Sequence, residues 1–264
     1  MQSQANGRDV TYSYTYDANG NILSVSDGIN TTSYAYDCAH QLTRENNQAA
    51  GKTWVYTYDN GGNITSKSEY PYSAGELGAR TSIVYYTYTQ DNWRDKLVQY
   101  GDNAITTDEI GNILSDGTRT YTWVHGRELR YLSDGTTTWH NSYNADGLRF
   151  GRVDGTNSYY YIYDGNKNLS RLMYNDQVMD FVYSGNTPVV MICNDSVYFY
   201  ATNLQGDIVA ILDSNGNPVV EYTYDAWGKI LTITGSMAST LGVLNPLPVS
   251  YTHLRAHETL RYLV

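Results

Sequence analysis

The sequence predicts an all-β fold of consecutive antiparallel β-hairpins forming a curved sheet. Three observations predict it. The chain has 28 Tyr against 3 Phe, and tyrosine suits a half-buried pleated surface, its ring packed on a neighbouring strand and its hydroxyl in water. A Tyr-x-Tyr-Asp unit recurs along the chain. Finally, 23 Gly with 5 Pro suit many strands joined by tight turns. The mean hydropathy of -0.49 alone would allow disorder, but 14% aromatic residues argue for a packed structure.

The repeat units run in order as follows. Tyr14-Thr15-Tyr16-Asp17-Ala18-Asn19-Gly20-Asn21-Ile22 is echoed by Tyr56-Thr57-Tyr58-Asp59-Asn60-Gly61-Gly62-Asn63-Ile64, with Tyr34-Ala35-Tyr36-Asp37 between them. Tyr161-Ile162-Tyr163-Asp164-Gly165-Asn166 and Tyr222-Thr223-Tyr224-Asp225-Ala226-Trp227-Gly228 follow the same plan. The second aromatic also falls at Trp123, Tyr143, Tyr163 and Tyr183, intervals of about 20 residues and a period typical of repeat architectures. Tyr86-Thr87-Tyr88-Thr89 and Asp108–Leu114 are degenerate copies. In each unit, Tyr-x-Tyr puts two rings on one strand face, because side chains alternate with period two. Asp-x-x-Gly or Asp-x-Asn-Gly then turns the chain, and Asp27-Gly28, Asp116-Gly117 and Asp134-Gly135 turn it back. One hairpin is marginal alone; stacked hairpins bury a continuous face. Residues 70–83 break the rhythm and read as a longer loop between repeats.

The residues expected to carry this structural role are Tyr14, Tyr16, Asp17 and Gly20; Tyr34, Tyr36 and Asp37; Tyr56, Tyr58, Asp59 and Gly62; Tyr143 and Gly147; Tyr161, Tyr163 and Asp164; Gly206; and Tyr222, Tyr224, Asp225 and Gly228.

Charge excludes some functions. The formal net charge is -10 and the pI about 4.8, so nucleic acid and anionic membrane should repel the chain. No apolar run reaches the roughly 18 residues of a membrane-spanning helix. Cys38 and Cys193 could form one bridge; two buried free thiols are the favoured reading.

Catalytic and metal chemistry find little support. Neither the Asp17 nor the Asp213 loop has the bidentate Glu of an EF-hand: Gly28 and Tyr224 stand at the twelfth positions. There is no Gly-x-Ser-x-Gly elbow, and His40, His125 and His140 are scattered. An aspartate that recurs with the repeat favours structure, since catalysis needs one site. Trp54, Trp93, Trp123, Trp139 and Trp227 are candidates for stacking on sugars, with inter-strand packing favoured over that role. Neither an enzyme nor a cofactor is expected.

These units resemble the YD-repeat family, which includes bacterial RHS proteins and the shell of teneurins, over roughly residues 10–246. Tyr143-Asn144-Ala145-Asp146-Gly147-Leu148-Arg149, Tyr198–Ile208 and Glu221-Tyr222-Thr223-Tyr224-Asp225-Ala226-Trp227-Gly228 are similar to segments that precede the RHS-associated core. The resemblance implies a β-sheet spiralled into a partial YD-repeat β-shell. It also implies a secreted or cell-surface protein whose partner, in full-length bacterial members, is a C-terminal toxin domain inside the shell. A carbohydrate-binding or adhesive module, with cell-surface glycans as partners, is the alternative.

Two domains are expected: 1–246, the repeat shell fragment, and 247–264, a non-native tail. From Pro248 to Thr259 the tail resembles a translated transposon-end sequencing adapter. It contains His253 and His257 at a metal-ligand spacing, discounted on that ground. Family members continue past Asn245-Pro246 into a plug-like core with an Asp-based self-cleavage site. The chain is therefore expected to lack self-cleavage and toxicity. As a fragment with unpaired strand edges, it is expected to be poorly soluble or oligomeric.

Overall fold

The computed structural model describes residues 2–5, 8–91 and 93–248. It is all-β, with 55% strand and 3% helix. Two antiparallel sheets are built from consecutive hairpins. In the nine-stranded sheet, the strands from Ser13–Tyr16 to Asn103–Ala104 lie side by side in chain order. In the fourteen-stranded sheet, the strands from Thr106–Thr107 to Ile230–Thr234 do the same. Neither sheet closes into a barrel. Strict sequence adjacency means that almost every backbone pairing is made with the preceding or the following strand, so the hairpin turns set the register.

Residues cluster into two compact units. The first is Arg8–Asn103 together with Thr223–Thr232; the second is Ala104–Tyr222 together with the chain from residue 233. In the first unit the core holds Trp54, Tyr56 and Tyr86, with the polar Glu45, Asn47 and Thr53 also buried. In the second the most enclosed residues are Leu172, Met179, Met191, Ile208, Ile211 and Val220, with Tyr121, Tyr161, Phe181 and Tyr222 also buried. Along Gln177–Ser184 the buried Met179 and Phe181 alternate with less buried neighbours, as period two predicts, whereas Leu42–Asn47 and Ile208–Leu212 each bury three residues in succession.

The interruption at residues 70–83 is a long hairpin loop. The strand Ile64–Pro71 takes in Tyr70, the strand Ser82–Tyr88 resumes, and Glu69 pairs with Ser82. The loop is held from below. Arg44 donates from Nη2 to the carbonyls of Ser73 at 2.7 Å and Gly75 at 2.8 Å, and the Ser73 amide donates to Thr53 Oγ1.

Past the last strand, Ala238–Gly242 forms a π-helical turn. The chain after it packs into the second unit. Asn245 is buried, accepting at Oδ1 from the Tyr200 hydroxyl at 3.0 Å and donating from Nδ2 to the Tyr222 hydroxyl. Tyr222 in turn donates to the Gly242 carbonyl at 2.9 Å. Of the stretch expected to be foreign, Leu247 and Pro248 are described. Both are buried, and the Ile208 amide donates to the Pro248 carbonyl. The remainder, with His253 and His257, lies outside the described residues.

One expectation is corrected. Cys193 is a buried free thiol, but Cys38 is exposed. It occupies the turn after Tyr36, where side chains point to solvent.

Candidate functional site

The recurring Asp builds its turn by itself. Asp17 donates its amide to the Asn21 carbonyl, and its own carbonyl accepts from the Gly20 amide. Its Oδ1 accepts from the amides of Asn19 and Asn21, each at 2.9 Å, and Oδ2 from Asn21 Nδ2 at 2.7 Å. The two amide bonds to Oδ1 recur at Asp37, Asp59, Asp164 and Asp225, at 2.8–3.0 Å. Asn144 and Asn203 stand in for Asp in their units, each accepting through its side-chain oxygen. The Asn21 side-chain amide holds the Asp17 carboxyl below its ordinary range, and Asn63 does the same for Asp59. Carboxylates occupied by their own turn are structural elements first.

The fourth turn position needs a left-handed backbone. Gly20, Gly62, Gly147, Gly206 and Gly228 supply it with φ between +73° and +90°. Two units do without glycine: His40 stands at φ 61° and Lys167 at φ 66°. In Asp164-Gly165-Asn166 the visible glycine is therefore one place from the turn start, and Lys167 carries the strained position.

The two tyrosines of each unit have different jobs. The first ring is core: Tyr56, Tyr161 and Tyr222 are buried, while Tyr14 and Tyr34 are half-buried. The second carries a hydroxyl tie to the unit before it. Tyr36 donates to the Ile22 carbonyl at 3.0 Å, Tyr58 to Leu42 at 2.6 Å and Tyr88 to Ile64 at 3.0 Å. In the second unit, Tyr143 donates to Leu129 at 3.1 Å, Tyr163 to Arg149 at 2.7 Å and Tyr183 to Leu169 at 2.9 Å. Trp123 does the same through Nε1 to Ile113 at 2.7 Å. The acceptors share one address. Ile22, Leu42 and Ile64 pair across the hairpin with Tyr16, Tyr36 and Tyr58, and Leu129, Arg149 and Leu169 pair with Trp123, Tyr143 and Tyr163; the register shifts at each. Each acceptor lies beside a register irregularity of the kind a β-bulge makes, and the next unit's aromatic residue bonds its carbonyl. The ties thus run from unit to unit, 36 to 22, 58 to 42 and 88 to 64.

The turn at Tyr224-Asp225-Ala226-Trp227-Gly228-Lys229 is docked by charge. It lies with the strands Leu42–Asn47, Lys52–Tyr58 and Ile64–Pro71 in the first unit. Glu45, 1% exposed, accepts from the Ala226 amide at 3.0 Å and from Asn47 Nδ2 at 3.2 Å. Asn47 Nδ2 also reaches the Tyr224 carbonyl. Lys67 Nζ pairs with Asp225 Oδ2 at 2.9 Å, with side chains 13% and 1% exposed. The same ammonium sits 5.6 Å from the Trp54 ring centroid and 5.7 Å from that of Tyr56, within cation–π range. Trp227 stands edge-on to Tyr56 at 5.8 Å. Burial, with the nearby Asp225 charge, pushes the Glu45 carboxyl up to about 7, against the lowering effect of its two hydrogen bonds and Lys67.

Glu45, Asn47 and Lys67 were not singled out from the sequence. Leu42-Thr43-Arg44-Glu45-Asn46-Asn47 is mostly polar, and no local pattern marks Glu45 as buried. The other candidates have ordinary partners. Trp54 is buried and donates to Glu69. Lys96 lies over Trp93, and Arg152 over Trp139. His40 bonds Asn21, His125 pairs with Glu128, and His140 stacks on Tyr131.

The teneurin YD-shell family model matches residues 5–241. Among curated proteins, the tRNA nuclease WapA of Bacillus subtilis is 32% identical over 147 residues, 52% of this chain and 6% of that protein. The tRNA3(Ser)-specific nuclease WapA of Bacillus spizizenii is 32% identical over 146 residues, with the same coverage. The chain thus spans a small fraction of the curated relatives it matches. Among solved structures, TcdB2-TccC3 without its hypervariable C-terminal region superposes with a TM-score of 0.64 at 15% identity, over 90% of this chain and 14% of that one. The Photorhabdus luminescens Tc holotoxin pore gives 0.61 at 16% identity, over 87% of this chain and 14% of that one. At these identities the structural likeness speaks for the fold.

Proposed function

The chain belongs to the teneurin YD-shell family, and on that premise we propose that it is a shell segment of a secreted or cell-surface bacterial protein that encloses a C-terminal toxin domain. The shell role is structural. One observation carries this reading: the recurrent groups are already spent on the fold. Each turn carboxylate accepts from its own turn amides, and the second tyrosines Tyr36, Tyr58, Tyr88, Tyr143, Tyr163 and Tyr183 are tied to the preceding unit. Those groups supply scaffold, with no free nucleophile or base among them. The nuclease relatives and the Tc structures support the enclosed-toxin part, since both are named as toxins or nucleases. Their activity belongs to whole proteins of which this chain matches 6%, so the chain itself is proposed to be non-catalytic.

The test is limited proteolysis of the natural full-length polypeptide. A C-terminal domain that resists protease while the repeats are folded, and becomes sensitive when urea opens them, supports enclosure. A domain digested equally fast in both states refutes it. Incubation of this chain with tRNA should give no cleavage. The adhesive alternative has the exposed rings of Tyr85, Tyr131 and Tyr160 in its favour; binding of the chain to a glycan array would promote that reading.

A further inference from the structure

We propose that Glu45 and Asp225 form a proton-linked latch, in which uptake of one proton by Glu45 fastens the Tyr224–Lys229 turn onto the strands around Lys67. The geometry sets up the competition. Two carboxylates are enclosed side by side, and the Lys67 ammonium is engaged by one of them, Asp225. Glu45 is left with two neutral donors, the Ala226 amide and Asn47 Nδ2. Hydrogen bonds to neutral donors offset the loss of water around a buried carboxylate only in part.

Among the described residues that bear on Glu45 there is one cation, Lys67. The strand Thr31–Tyr36 presents Tyr34, Lys52–Tyr58 presents Tyr56, Ile64–Pro71 presents Lys67, and the docked turn presents Asp225. Tyr86, on the strand Ser82–Tyr88, also feels Asp225. Burial pushes the hydroxyls of Tyr34, Tyr56 and Tyr86 well up, so they stay neutral. Lys67 is thus the one positive group in this set. Protonated Glu45 keeps both bonds, because its carbonyl oxygen accepts from Ala226 and its hydroxyl oxygen still has a lone pair for Asn47.

The sign follows from linkage. Enclosed under the docked turn, the Glu45 carboxyl is raised from an ordinary 4.5 to about 7, by burial first and by the Asp225 charge the turn brings, so the enclosed group binds the proton more tightly than one that opening returns to water. The latch is strongest below about 4.5, weakens as pH rises toward 7, and is constant above that. One proton changes the opening equilibrium by at most about tenfold per pH unit in that window. The latch joins residues 181 positions apart in sequence, so its opening frees a contact that no single hairpin holds.

The experiment is hydrogen exchange of the Ala226 amide in the full chain between pH 5 and pH 8, each rate corrected for the intrinsic pH dependence of exchange. Protection is expected to fall by several-fold to tenfold per pH unit from about 5 to 7. Glu45→Gln should flatten that slope while leaving protection at the Asp59 turn unchanged. Protection that is independent of pH, that rises with pH, or that keeps its slope in Glu45→Gln overturns the proposal. Should Glu45→Gln not fold, the carbon-13 carboxyl resonance of Glu45 in the unsubstituted chain decides. A midpoint well above the ordinary glutamate value supports the latch, and a midpoint at that value overturns it.

Discussion

Replacing Tyr163 by Phe removes one hydroxyl and nothing else, and so isolates the tie between units. The ring stays packed; the bond lost is the 2.7 Å donation to the Arg149 carbonyl. A neutral intramolecular hydrogen bond contributes about 0.5–1.5 kcal/mol net, and a buried acceptor left unmet costs about 1–3 kcal/mol. Arg149 sits where the register shifts against Tyr143. Tyr163 is half-buried, which gives water some access and places the expected loss at about 1–2 kcal/mol. Tyr58→Phe, which breaks the 2.6 Å bond to Leu42, should cost the same in the first unit. Tyr16 is the control: it is 48% exposed, stacks on Tyr14, and makes no such tie among the described residues. Tyr16→Phe should fall within about 0.5 kcal/mol of the unsubstituted chain, as surface changes do. Urea unfolding followed by circular dichroism measures all three. Equal losses for Tyr163→Phe and Tyr16→Phe, or no loss for either tied residue, would refute the claim that hydroxyl ties join the units.

The other predictions concern the turns, the buried charges and the thiols. Gly62→Ala, at φ +86° and with its new Cβ 3.0 Å from Gln41 Nε2, should cost about 1–2 kcal/mol of left-handed strain, read as a drop in the urea midpoint. Lys167→Gly should do the reverse and stabilise by about 0.5–1 kcal/mol, the strain relieved minus glycine's extra entropy. Lys67→Met leaves Asp225 buried without its cation and should cost about 3–5 kcal/mol; Asp225→Asn added to it should recover part of that loss in a double-mutant cycle. With a thiol reagent, Cys38 should react at once. Cys193, buried and with its thiol pushed up by burial, should react only on unfolding.

What could be read from the sequence was whatever is local. The Asp turn is closed within five residues, 17 to 21, so the residue types that make it stand together in the chain. The hairpin order was legible for the same reason, since each strand pairs with its sequence neighbour. The period of about 20 between second aromatics was also visible, but the hydroxyl ties were not. A tyrosine's hydroxyl acceptor is a main-chain carbonyl, and carbonyls leave no mark on residue type. Gly165 shows a smaller limit: glycine signals a turn, yet the left-handed position fell on Lys167, because turn register is set by the Asp that starts it.

The sequence by itself determined the repeat, its turns and the strand order, because those depend on interactions within one hairpin or between adjacent ones. Only the tertiary structure decided that Glu45 and Lys67, on strands rich in polar residues, would be enclosed against Asp225 and Ala226. Their burial depends on a turn 158 to 181 residues away. A residue's charge is written in the chain, whereas its access to water is set by whatever the fold brings over it.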